Sequence, residues 1–148
     1  MNREIKFRMW NNVEDKPERS RYFYDEYDVF ECLKQQALFN KNPKDKLGYD
    51  HVGDGNSFEQ FTGIQDKNGK DIYEGDIMKI ILEGLGFWEK QKDLERIGKV
   101  VYNEDYAGYL VVWEYSKDQH HENLSCDLAF TGEILGNVYE NPEFKKLD

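Results

Sequence analysis

The stretch Gln60-Phe61-Thr62-Gly63-Ile64-Gln65-Asp66-Lys67-Asn68-Gly69-Lys70-Asp71-Ile72-Tyr73-Glu74-Gly75-Asp76-Ile77-Met78-Lys79-Ile80 decides how this chain folds. Asn68-Gly69 is the preferred pair for a two-residue hairpin turn, in which both central residues take positive φ. Phe61 to Gln65 therefore leads into the turn, and Lys70 to Tyr73 leads out of it. Glu74-Gly75-Asp76 makes a second turn, with Gly75 able to take φ > 0 without steric cost. Ile77 to Leu82 then places apolar residues on both strand faces, apart from Lys79, which is the pattern of a deeply buried strand. A hairpin, a Gly-Asp turn and a buried strand in succession bend a sheet around a core, as in small barrels.

Upstream, Arg3 to Trp10 alternates, with Ile5, Phe7 and Met9 on one face and Glu4, Lys6 and Arg8 on the other; a half-buried strand is expected. Val13 to Arg21 is charged and contains Pro17, so it reads as a loop, and Tyr22-Phe23-Tyr24 begins a short strand. Asp28 to Phe39 carries an apolar stripe of Phe30, Leu33, Ala37 and Leu38, which predicts a helix packed on the sheet. Residues 41–57 are polar and contain glycine, the best place for an internal boundary in an otherwise single domain of 1–148. That boundary would separate an N-terminal strand and helix from a C-terminal β barrel.

Downstream, Phe87 to Arg96 has helix-forming composition and predicts a short helix. Lys99–Asn103 and Tyr109–Tyr115 read as strands, with Val100, Tyr102, Leu110, Val112 and Trp113 as core candidates. Ser116 to Ser125 is a polar loop; Ala129–Thr131 and Glu133–Tyr139 hold two further short strands, with Gly132 and Gly136 at kinks or bulges. The fold class expected is mainly β: a small closed or partly open barrel of short antiparallel strands, possible in SH3-like form, with one added helix.

The bulk numbers narrow the function. The 148 residues suffice for a core without staples, and 22 aromatic residues (9 Phe, 10 Tyr, 3 Trp) suit strands and broad contact surfaces. The net charge is −10; from residue 101 onward, 10 acidic and 3 basic side chains leave −7. Such a chain repels a phosphate backbone, which argues against broad DNA binding. Cys32 and Cys126 are the only cysteines, no export signal follows Met1, and no apolar run has the length of a membrane span. Free thiols, a cytoplasmic location and no membrane partner are the expectations.

Motifs that carry chemistry are sparse. His120-His121 stands near Asp118, Glu122 and Cys126, but adjacent histidines project apart, whereas zinc draws on spaced pairs. His51 near Asp50 and Asp54 reads as a surface histidine. Ser125 and Cys126 have no strained elbow around them to make a nucleophile. Gly84-Leu85-Gly86 lacks the lysine and hydroxyl of a phosphate loop, and Asp66, Asp71, Glu74 and Asp76 do not follow calcium-loop spacing. Phe87 and Trp88 precede Lys90, Lys92, Arg96 and Lys99, a combination suited to stacking on single-stranded nucleic acid, but Glu89, Asp93 and Glu95 interleave and largely cancel the charge. No catalytic residue, no cofactor and no metal ligand is assigned.

Three blocks together carry a family likeness. They are Arg3-Glu4-Ile5-Lys6-Phe7-Arg8-Met9-Trp10; Gln60-Phe61-Thr62-Gly63 through Asp66-Lys67-Asn68-Gly69-Lys70 to Ile72-Tyr73-Glu74-Gly75-Asp76-Ile77; and Ile134-Leu135-Gly136-Asn137-Val138-Tyr139-Glu140-Asn141-Pro142. In order and placement the chain resembles the YopX family of phage and prophage proteins. The resemblance implies a small, mainly β protein of phage or prophage origin, with an SH3-like or related barrel, and carries over no catalytic residue. Glu83 to Gly98 is a longer connection than the family pattern implies. The expected function is therefore non-enzymatic: a protein-interaction module acting by contact, with a protein partner and self-association through sheet edges. Nucleic-acid binding through Phe87–Lys99 is the alternative, and a metal-dependent enzyme using His120, His121 and Cys126 is the least favoured reading.

Overall fold

The structure, a computed structural model, describes residues 4–11, 21–24, 29–30, 34, 57–82, 94–113, 121–141 and 143–144. The chain divides between Gln60 and Phe61 into two compact units. The boundary expected at 41–57 lies outside the described residues, except that Ser57 begins a strand.

In the unit of residues 4–60, β1 (Phe7–Asn11) pairs antiparallel with β2 (Arg21–Phe23) and with the first half of β3 (Ser57–Gln65). The alternation expected for the first strand needs correction. Ile5 and Phe7 are exposed and of the three only Met9 is buried, while Arg8 on the opposite face is 4% exposed. The reason is a partner 51 positions away: Arg8 sits directly across from Glu59 and its Nε donates to Glu59 Oε2 at 2.6 Å. Tyr22 completes the group, with its hydroxyl donating to Glu59 Oε1 at 3.4 Å and its ring centroid 4.4 Å from the Arg8 guanidinium carbon. A charge is tolerated out of water when it is paired and hydrogen-bonded. Val29, Phe30 and Lys34 are helical. Val29 is buried, but Phe30 is 58% exposed beneath the Lys34 ammonium, so it is not part of the packed stripe expected of it. The rest of the Asp28–Phe39 helix lies outside the described residues.

In the unit from Phe61 onward, β4 (Asp71–Tyr73) pairs with the second half of β3. The other strands are β5 (Asp76–Leu82), β6 (Leu94–Asn103), β7 (Gly108–Trp113), β8 (His121–Asn123) and β9 (Gly132–Asn137). They form an antiparallel sheet in the order β8-β7-β6-β5-β9, curled into half a barrel. The fold is mainly β, in the partly open form of the expected architecture. With neighbours on both sides and cover on both faces, β5 buries Ile77 and Met78 completely. The core joins Met78, Ile80, Val100, Val111 and Trp113 to Ile72, Leu124 and Ala129.

Register explains the core assignments that change. Val100 faces Val111, and Tyr102 faces Tyr109, so Val111 rather than Val112 shares the core face with Val100. Tyr102 lies on that face beyond the core and is 44% exposed. Leu94, Glu95 and Arg96, expected in a short helix, instead open β6 opposite Leu82, Ile81 and Ile80; pairing with the buried strand overrides their helix propensity. Ala129–Thr131, expected as a strand, belongs to a short helix, Cys126–Phe130, and its end. Ser125 caps that helix, its Oγ accepting the Leu128 N–H at 3.2 Å. Residues 83–93 and 114–120 lie outside the described residues.

Candidate functional site

The Asn68-Gly69 hairpin differs from the two-residue turn expected of it. Gly69 alone is left-handed, with φ 77°, the Gly69 N–H reaches Asp66 O at 2.9 Å, and the Asp66 N–H reaches Lys70 O at 2.8 Å. This is a three-residue loop that ends in a left-handed glycine. The Asp66 side chain selects it. Its Oδ1 accepts the N–H groups of Asn68 and Lys70 at 2.8 and 2.9 Å, closing the loop from within. Its Oδ2 accepts the Ile134 N–H of β9 at 3.1 Å, and the Lys67 N–H donates to Gly132 O at 3.0 Å. The hairpin is thus clasped onto β9. Burial raises the Asp66 pKa, but the hydrogen bonds from Lys70, Ile134 and Asn68 outweigh it and hold the carboxyl below its ordinary value. Beside the clasp, Glu133 takes Lys67 Nζ at 2.6 Å and Lys79 Nζ at 2.8 Å; these two ammonium groups, Lys67 first, pull its carboxyl down to about 2.

Asp76, Asn137 and Asn141 are occupied in the same way. Asp76, almost wholly buried, accepts the Tyr73 N–H at 2.8 Å across the Glu74-Gly75 turn, and the Gly75 N–H donates to Val100 O at 2.9 Å. Gly136 faces Ile77 while Ile134 faces Met78, so Leu135 is the extra residue of a bulge. A Cβ at Gly136 would run into Asn141 Oδ1. That oxygen accepts the Asn137 N–H, and Asn137 Oδ1 in turn accepts the N–H groups of Tyr139 and Glu140, both at 2.9 Å. The Gly136-to-Asn141 segment is a turn held by its own amides.

Of the residues considered for metal or nucleophilic chemistry, His121, Glu122, Ser125 and Cys126 are among the described residues. His121 is exposed on β8 and Cys126 is exposed in the first turn of the short helix, while His51, Asp50, Asp54, Asp118 and His120 lie outside the described residues. Among the described residues, no group of three or more His, Cys, Asp or Glu stands where it would hold one metal ion. Both oxygens of Asp66, and Oδ2 of Asp76, face N–H donors, an arrangement that does not fit calcium. Of the Phe87–Lys99 segment only Leu94–Lys99 is described, as strand, with Arg96 5.7 Å from the Trp113 ring centroid. No helix among the described residues is long and apolar enough to cross a membrane.

What the unit does present is the β6–β7 hairpin. Tyr102 is held edge-on to Tyr109, centroids 5.4 Å apart, and Tyr106 stands 70% exposed in the turn between exposed Glu104, Asp105 and Ala107. Asn103 Oδ1 accepts the Tyr106 N–H at 3.0 Å, and the Ala107 N–H reaches Glu104 O at 3.3 Å. Ala107 is left-handed, with φ 48°. The exposure of Tyr102 was legible only from its place one residue before the Asn103-Glu104-Asp105 turn.

A family model described as YopX protein matches residues 6–145. The comparison with curated proteins found no match. Among solved structures, the crystal structure of protein EF1440 from Enterococcus faecalis is similar with a TM-score of 0.47 and 19% identity, over 97% of this chain and 99% of that one.

Proposed function

The chain belongs to the YopX family, and from that premise we propose that it is a non-enzymatic, phage- or prophage-encoded protein that works by contact with another protein in the bacterial cytoplasm. One observation carries this reading. Four polar side chains of the three blocks are turned to backbone donors: Asp66 accepts from Asn68, Lys70 and Ile134, Asn137 Oδ1 from Tyr139 and Glu140, Asp76 from Tyr73, and Asn141 from Asn137. These residues build turns, and among the described residues the chemistry left for a ligand is that of the outer surface. That surface belongs to a chain of charge −10 and displays Tyr102, Tyr106 and Phe130. Exposed aromatic rings on a rigid strand scaffold are suited to protein contact, and the excess of carboxylates favours a basic partner.

The test is cross-linking of the tagged protein in cells of a bacterial host that carries the gene, followed by reconstitution with the purified partner. A reconstituted complex of defined stoichiometry is the expected result. Tight, salt-sensitive binding to a single-stranded oligonucleotide with no protein partner would overturn the proposal.

A further inference from the structure

Resting on that contact reading, we propose that the tip of the β6–β7 hairpin is the binding surface for a basic segment of the partner protein. Arginine or lysine side chains of that segment lie against the rings of Tyr102 and Tyr106, between the carboxylates of Glu104 and Asp105. Four observations converge. Both tyrosines are open to solvent, at 44% and 70% exposure. Tyr102 is braced by Tyr109, which packs on the core, and so forms a fixed platform. The Tyr106 backbone is fixed by Asn103, in a turn that keeps Ala107 left-handed although the next residue is a glycine. From Val100 to Trp113 the chain carries two carboxylates and no lysine or arginine.

The chemistry selects the occupant. A tyrosine face attracts a cation through its quadrupole, and a guanidinium also stacks on it. Tyrosine gives up little side-chain freedom on binding. Glu104 and Asp105 repel phosphate, which excludes nucleic acid from the tip. A second copy of this chain would bring like charge against like.

The experiment titrates the intact, isotope-labelled protein with an oligoarginine peptide and follows its amide resonances. Shifts concentrated on Asn103–Gly108 are expected. Tyr106→Ala weakens binding about 2–5-fold, and Tyr102→Ala with Tyr106→Ala about 5–25-fold, from the usual strength of exposed cation–ring contacts. Glu104→Gln with Asp105→Asn weakens binding more than Glu95→Gln with Glu143→Gln, which removes the same charge elsewhere. Thermal melting of Tyr106→Ala, whose side chain is mostly in solvent, stays at the wild-type value. Shifts spread over the acidic surface, or equal effects of the two charge pairs, overturn the proposal. A cross-linked partner that binds without disturbing the tip overturns it while leaving the contact reading in place; the lack of any protein partner removes both.

Discussion

Replacing Asp66 tests whether one carboxylate closes the loop and fastens it. In Asp66→Ala, three backbone N–H groups lose an ionised acceptor that they reach at 2.8, 2.9 and 3.1 Å. Hydrogen bonds to a charged group contribute roughly 1.5–3 kcal/mol each, but three on one carboxylate are not additive, and water reaches the two loop donors. A loss of about 3 kcal/mol is expected. Asp66→Asn keeps one oxygen for the loop but turns an NH2 group toward the Ile134 N–H, so about 1–2 kcal/mol is expected. The acid dependence has a definite sign. The folded carboxyl ionises below its ordinary value of 3.8, so its stabilisation is complete above the unfolded pKa and is lost as pH falls through the folded one. Urea unfolding of wild type and Asp66→Asn over a pH series, read by tryptophan fluorescence, measures both effects. The midpoints differ near neutral pH with unchanged slopes, and the gap closes in acid. A gap that is absent near neutrality, or that is the same at every pH, refutes the clasp.

Carboxyl titration by NMR gives Glu133 a pKa of about 2 in the wild type, and Lys67→Met moves it back toward 4.5, since Lys67 is the first cause of the depression. The stabilisation from that group is present above the unfolded pKa and fades as pH falls toward about 2, so Glu133→Gln removes a salt-sensitive share of the acid dependence. Gly69→Ala costs about 1 kcal/mol in a thermal melt, because a Cβ there meets nothing and only the left-handed backbone objects. Gly98→Ala costs more, about 2–3 kcal/mol, because its Cβ would stand 2.6 Å from Val111 Cγ1 and 2.7 Å from Val112 O. Arg8→Ala takes from buried Glu59 the guanidinium held at 2.6 Å and lowers stability by about 3–5 kcal/mol, an effect reversed in large part by also replacing Glu59 with leucine.

Local patterns carried much of the second unit into view. The apolar run at Ile77–Leu82 became an interior strand, β5, and Gly136 marked a bulge, because each signal lies within a few residues. What local patterns misplace is what distant partners decide. Arg8 reads as solvent-facing because nothing near it announces Glu59. Leu94–Arg96 reads as helix until β5 is laid beside it. Tyr102 reads as core because strand alternation says which face a residue occupies, not where along the face the core ends. At the hairpin, Asn68-Gly69 reads as a two-residue turn, but the Asp66 side chain decides the loop length. The tyrosines of the candidate contact surface were visible as residues, but their exposure follows from the register of β6 on β7.

The clasp also has a consequence in time. Asp66 and Ile134 lie 68 positions apart, so their bond must wait for the long loop between them to close. A contact made after the folding barrier deepens the native side alone, and its loss then quickens unfolding while folding keeps its pace. The hairpin built by short-range turn chemistry is thus expected to act as a latch: in stopped-flow measurements Asp66→Asn unfolds faster while its folding rate is unchanged, and a slowed folding limb refutes this.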